Sequence, residues 1–168
     1  MRKTLLFALV AAIALIAYTL SLPPKGPRPP MSTPIPNSAL NAKTLLAVSQ
    51  SYERDVLPLF KRACMDCHSD QTDFPWYHHV PGVAQYLDGH VAKARHGLDL
   101  SAGIPFNTDT PLMKHLRRIG GVVKRGSMPL WDYKLMHPAS RLSEAEKAVI
   151  VAWAEGSQQQ LSATAKGY

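Results

Sequence analysis

Cys64-Met65-Asp66-Cys67-His68 is the stretch on which the reading of this 168-residue chain turns. It spells C-x-x-C-H, the attachment pattern of a c-type haem. Two thiols add across the two vinyl groups of one porphyrin, so the chain between them has to form a short helical turn. The histidine directly after the second cysteine then lies under the iron and supplies its proximal imidazole. Cys64 and Cys67 are the only cysteines in the chain, so the motif uses the whole thiol inventory. C-x-x-C is also found in redox dithiols and as half of a zinc site. A zinc site of that kind wants a second pair of ligands at close spacing, and no second cysteine pair is present. A thioredoxin-like dithiol wants a βαβ context, which this chain lacks. There is no internal repeat and no second C-x-x-C-H, so the expected cofactor is one haem c with its iron.

Upstream, Arg2 and Lys3 precede an uncharged apolar run at residues 4–22. Nineteen helical residues span about 28 Å, close to the hydrocarbon thickness of a bilayer. Positive charge before the run keeps that end cytoplasmic and puts the rest of the chain outside. The run reads as an uncleaved membrane anchor, with a cleaved signal peptide as the alternative; Thr19-Leu20-Ser21 is only a fair cleavage site and no cysteine is available for a lipid anchor. Both readings export the chain, as covalent haem attachment in bacteria requires. The expected location is the periplasmic side of the inner membrane, or the soluble periplasm after cleavage.

Residues 23–42 form a linker in which seven prolines, half of the chain's fourteen, fall within fourteen residues from Pro23 to Pro36. Such a run favours polyproline II and acts as a semi-rigid spacer with roughly 40 Å of reach. The bland alternative is a loose junction between signal and domain. The haem domain is placed at 43–156, and the polar residues 157–168 are read as a flexible tail. The formal charge of +7 overstates the domain, because Arg2, Lys3, Lys25 and Arg28 lie in the anchor and linker while all twelve acids come later. Fifteen bases against twelve acids give nucleic-acid binding no support.

The hydrophobic periodicity is helical throughout, with no period-2 segment long enough for a sheet, so the fold class is all-α. A first helix runs from about Lys43 into the motif, with Val56, Leu59 and Phe60 on one face; Pro58 kinks it or marks a second start. Val83, Tyr86, Leu87, His90, Val91 and Ala94 define a helix over 82–95. Leu112, Leu116, Ile119 and Val123 define another, weakened at Gly120-Gly121, whose polar side is Lys114, His115, Arg117, Arg118, Lys124 and Arg125. The last helix opens on the capping box Ser143-x-x-Glu146, runs through Val149, Ile150 and Trp153, and stops at Gly156.

An iron held by His68 has a second axial position. The best candidate is Met128, in Arg125-Gly126-Ser127-Met128-Pro129: a thioether is a soft ligand for Fe(II) and raises the reduction potential. Gly126 lets the chain turn sharply and Pro129 stiffens the loop. A lone methionine is otherwise core filler. Met136 and His137 are the nearby competitors. His90 sits on an apolar helix face, where a satisfied core histidine is the commoner outcome. His78, His79, His96 and His115 read as solvent-facing or loop-borne, and an open sixth site stays on the table. Trp76 and Tyr77 are candidates for haem packing or a propionate hydrogen bond, with plain core packing as the alternative. The basic stretch 114–125 is either a solvated helix face or a surface that steers an acidic partner or pairs with propionates.

The ordered string Cys64-x-x-Cys67-His68-Ser69, Pro75-Trp76-Tyr77, His90, Met128-Pro129, Tyr133, His137-Pro138, Leu142-Ser143 and Trp153 resembles the bacterial haem-binding-domain family. Its members are monohaem proteins similar to class I cytochromes c, usually exported or held by one N-terminal helix. The resemblance covers about residues 50 to 156. It implies a cytochrome c-like helical domain around one covalent haem on Cys64 and Cys67, with His68 proximal and Met128 distal. The family pattern carries Asn-Phe-Ser after the helix that holds His90, whereas this chain reads Leu98-Asp99-Leu100-Ser101.

The expected function is electron transfer by a membrane-tethered monohaem cytochrome, with a redox protein of unknown identity as partner and no substrate chemistry, hence no catalytic residues. The alternative is a haem-based sensor or small-ligand binder whose sixth site opens. A peroxidase has little behind it, given a single haem and no evident distal acid–base pair. A third possibility is an assembly subunit whose haem mainly stabilises the fold.

Overall fold

The computed structural model describes residues 11–14, 41–106 and 110–165. Every regular element among them is helical, as the periodicity requires. Residues 11–14 are helical, but the rest of the apolar run and residues 23–40 of the proline linker lie outside the described residues, while Asn41 and Ala42 already belong to the start of the first described helix of the domain. No helix among the described residues is long and apolar enough to cross a membrane. The described residues belong to two compact units, one containing residues 75–88 and the other residues 41–74 and 89–165.

In the larger unit, Asn41 starts helix α1 (Ala42–Ser51) by accepting the backbone N–H groups of Lys43 at 2.9 Å and Thr44 at 3.4 Å, which satisfies donors that a helix start leaves orphaned. The helix then widens into a π turn, Tyr52–Val56, and resumes as α2 (Leu57–Ala63). Two features explain the widening. Pro58 cannot donate and its ring crowds the carbonyl four residues back, so the helix has to open there; the N–H of Leu57 bonds to Tyr52 O across five residues. The buried positions Val48, Tyr52, Val56 and Phe60 also recur every four residues. In a regular helix each such step overshoots by about 40°. The wider turn removes part of that drift and keeps all four on the core face. Pro58 thus resumes the helix and does not end it.

Helix α3 (Met65–His68) is the single turn of the C-x-x-C-H motif. Helix α4 (Val83–Gly97) begins in the smaller unit and ends in the larger one. Helix α5 (Leu112–Lys124) keeps its course through Gly120-Gly121. At Gly120 a side chain would meet α7, since an added Cβ would lie 3.5 Å from Ala154 Cβ. After α6 (Trp131–Met136) the last helix, α7 (Glu144–Ala165), opens on the expected capping box. The Ser143 N–H donates to Glu146 Oε2 at 2.7 Å and the Glu146 N–H to Ser143 Oγ at 3.2 Å. The Ser143 N–H and hydroxyl, both donating to the carboxylate, hold the Glu146 carboxyl below its ordinary range. Arg62 of α2 also reaches Glu146 and the Arg141 carbonyl, tying α2 to this start.

The end of α7 corrects the expected stop at Gly156. The helix continues to Ala165, so residues 157–165 are not a flexible tail. Ser157 and Leu161 are buried, and Leu161 joins the core cluster. One glycine costs about 1 kcal/mol in a helix interior, whereas burying a leucine side chain contributes about 1.5–3 kcal/mol, so burial wins. Of the three residues expected to define its apolar face, Ile150 and Trp153 are buried and Val149 is exposed.

The core joins α1, the π turn, α2, α5 and α7 around an aromatic centre. Tyr52 lies 5.8 Å from Phe60, 6.0 Å from Phe106 and 5.5 Å from Trp153, ring centre to ring centre. Phe60 and Trp153 meet edge to face at 6.5 Å. Phe60 is therefore braced from behind, and its other side is free to line a cavity.

Candidate functional site

The α2–α3 junction carries the motif. The N–H groups of Cys67 and His68 both return to the Cys64 carbonyl, at 3.2 and 3.0 Å, giving the tight turn that two thiols on one porphyrin demand. Burial pushes the Cys64 thiol up to about 12 and raises Cys67 in the same direction. Reactive dithiols depend on a lowered thiol pKa, so the shift runs against the redox-dithiol reading. No group of three or more His, Cys, Asp or Glu side chains gathers to hold a metal ion among the described residues. The zinc reading therefore has no ligand set there.

The turn opens on a cavity of about 310 Å³ within the larger unit. Cys64 and His68 line it from one end, and Met128 and Leu130 from the loop after α5. Phe60, Leu98, Leu100, Ile119 and Val122 supply apolar wall.

His68 is set by the segment after α4. Its Nδ1 lies 2.9 Å from the Leu98 carbonyl, an oxygen that can only accept, so Nδ1–H donates and Nε2 keeps its lone pair. Burial lowers the pKa of His68, favouring the neutral imidazole that can ligate. The Leu100 N–H returns to the His68 carbonyl at 2.7 Å. Asp99, fully buried between these two leucines, accepts from Arg95 at 3.1 Å and from the Ser101 N–H at 2.9 Å. Residues 98–101 thus form the strap that orients His68. Asp99→Ala leaves the Arg95 guanidinium, 12% exposed, without its carboxylate. The expected loss is about 3–5 kcal/mol, read as a lower denaturant midpoint of the haem-loaded protein.

Met128 arrives by a different device. Gly126, in the left-handed region at φ +67°, ends α5. Its N–H bonds to Val123 O at 2.9 Å and the Ser127 N–H to Val122 O at 3.0 Å. That pair of bonds is the Schellman stop, which only glycine adopts without strain. The chain reverses there and brings Met128 onto the cavity wall two residues later. The competitors are elsewhere. Met136 is mostly exposed and the His137 ring stacks on Tyr133 at 4.2 Å; neither lines the cavity.

Several other residues stand differently from expectation. His115 is buried and lines the cavity, with its ring edge-on to Phe106 at 5.8 Å; it is not solvent-facing, because α5 packs its Leu112–Leu116 turn inward. His90 lines the cavity too, as do the basic side chains Lys93 and Arg118. Arg118 falls one turn from His115 and is exposed while it lines the cavity, so the solvated side of the 114–125 stretch also borders the cavity. His79 and His96 are exposed, and His78 Nε2 lies 3.1 Å from Asp88 Oδ1. Trp76 and Tyr77 belong to the smaller unit, where they meet edge to face at 5.7 Å. Trp76 is 79% exposed and so is not core filler.

Burial, followed by the charges of Arg118 and Lys114, pushes His115 down to about 4 from its ordinary 6.5. Below pH 6.5 the unfolded chain takes up a proton that the folded chain refuses. Stability is then full above pH 6.5 and declines as the pH falls toward 4, by about 1–3 kcal/mol. Denaturant midpoints at pH 7 and pH 4.5 measure the slope, and His115→Leu flattens it.

A further contact joins the motif to α6: the Tyr133 hydroxyl donates to the Asp66 carboxylate between the two cysteines. Burial and that bond raise the Tyr133 pKa, so the phenol remains the donor.

The donor set fits a haem: a histidine fixed in its ligating tautomer, a thioether and a thiol line one apolar cavity, with cations on its wall. Comparison with known proteins agrees. A curated cytochrome c peroxidase of Escherichia coli (strain K12) is 29% identical over 97 residues, which cover 56% of this chain and 21% of that protein. The chain therefore spans about a fifth of the relative it matches. No solved structure matches the chain. The family model described as haem-binding domain matches residues 31–156, more than half of the chain and the whole of the cavity described above, and on that match the chain belongs to the haem-binding domain family.

Proposed function

We propose that this protein is an exported, monohaem c-type cytochrome that passes single electrons, held at the periplasmic face of the inner membrane by its N-terminal apolar run. The observation that carries the reading is the shared cavity: Cys64, His68 and Met128 line the same apolar space. Cys64 and Cys67 would hold the haem by thioether bonds, and His68 and Met128 would ligate its iron. Bound there, the haem supplies an iron that alternates between Fe(III) and Fe(II). The rest is done by the chain. The Leu98 carbonyl keeps the His68 Nε2 lone pair directed and available. The Met128 thioether, a soft donor, favours the reduced state. Lys93 and Arg118, exposed cations that line the cavity, would pair with the two porphyrin carboxylates in charge-assisted bonds. Ile119, Val122 and Leu130 keep water away, so little solvent has to reorganise when the charge changes. Likeness to about a fifth of a peroxidase fits a module that feeds electrons to such chemistry.

A sensor or small-ligand binder is the second reading. What favours it is the presence of His90, His115 and Arg118 on the wall that Met128 shares, since these groups can donate to a bound diatomic or peroxide. Absorption spectra in both redox states, with and without carbon monoxide, separate the two. A low-spin protein with the weak far-red methionine–iron band, slow to take up carbon monoxide, supports the electron carrier. A high-spin protein that binds carbon monoxide at once moves the sensor ahead.

A further inference from the structure

Helix α6 presents an apolar outer face. Trp131 is 75% exposed, Leu135 62% and Met136 55%, three large apolar side chains in six residues. Trp131 and Leu135 stand one turn apart and share a side. The inner side is engaged: the Tyr133 hydroxyl bonds to Asp66 in the attachment turn, and Leu130, the residue before Trp131, lines the cavity. The helix thus stands against the attachment turn through Tyr133 and directly follows a cavity-lining residue, with its apolar side chains left outside.

The rim of that face is basic. Lys134 sends its Nζ to the Gly126 carbonyl at 3.4 Å, beside exposed Arg125. Arg141, also exposed, donates from Nε to the Lys134 carbonyl at 3.3 Å, which places a third cation there. The acids nearby are Asp132, half-buried, and Asp66, already bonded to Tyr133. An aromatic centre inside a charged rim is the anatomy of a transient protein interface.

We propose that the outer face of α6 docks an electron-exchange protein whose own cofactor edge is apolar with an acidic rim. The inference rests on the electron-carrier reading and names the surface through which it works. Apolar contact at Trp131 and Leu135 brings the two cofactors close, while Arg125, Lys134 and Arg141 steer the encounter.

Stopped-flow reduction of the haem-loaded full chain tests this, with a plant-type ferredoxin as an acidic one-electron donor at about −400 mV and dithionite as a reductant that needs no docking face. The second-order rate with ferredoxin should fall at least tenfold in Trp131→Ala/Leu135→Ser and in Arg141→Glu, and should fall with added salt. The dithionite rate and the reduction potential should stay as in the wild type. Equal ferredoxin rates in wild type and variants, or rates indifferent to salt, overturn the proposal. So does a wild-type dimer in sedimentation that Trp131→Ala dissolves, which gives the face to a second copy of this chain. A haem that dithionite and ferricyanide cannot cycle reversibly removes the electron-carrier reading itself, and the inference with it.

Discussion

Met128→Ala lowers the reduction potential by on the order of 100 mV, within the roughly 0.8 V over which axial ligands set haem potentials. The far-red methionine–iron band disappears and carbon monoxide binds at the mixing time. The cause is the loss of the proposed soft donor, which favours Fe(II) and which the Gly126 reversal brings onto the cavity wall. Met136→Ala, His137→Ala and His90→Ala serve as controls and should each keep the band, since Met136 and His137 lie off the cavity and His90 is not the proposed ligand. Visible spectroscopy and a potentiometric titration measure both effects. An unchanged spectrum in Met128→Ala sinks the proposed ligation.

The double variant Cys64→Ala/Cys67→Ala should yield little folded protein, and the wild type should keep its haem through acid acetone and SDS. The cavity is ringed by side chains that also belong to the core, Phe60, Leu100, Ile119 and Val123 among them. Without a haem those walls face a void or water, and each side chain forfeits part of the roughly 1.5–3 kcal/mol that burial contributes. Haem-stained gels and far-ultraviolet circular dichroism read the two outcomes. Free extraction of the haem from the wild type, or full helical signal in a colourless double variant, counts against them.

Much of this protein is written locally. C-x-x-C-H at 64–68, the capping box at Ser143, the glycine stop before Met128 and the 3.6-residue periodicity of α4 and α5 each depend on a few neighbouring residues. Their physics is therefore visible without the fold. Even Pro58 announces a disturbance, although its form, a widened turn that keeps Val48, Tyr52, Val56 and Phe60 on one side, needs the core to choose it.

Other features depend on what packs against what. His115 and Arg118 look alike in a helical repeat of polar residues, yet His115 is buried, Arg118 is exposed and both line the cavity, because α5 packs its Leu112–Leu116 turn inward. The partner that orients His68 is a backbone carbonyl thirty residues away, and a carbonyl has no signature in the side-chain string. The same holds for Tyr133 on Asp66, sixty-seven residues apart. The extension of α7 past Gly156 depends on a core that gives Leu161 a place to bury. The amino-acid sequence by itself determined the all-helical class, the haem motif and the candidate ligands, because those rest on covalent spacing and local propensity. The tertiary structure decided which of the scattered histidines and cations share a cavity with them, because burial is a property of neighbours distant in the chain.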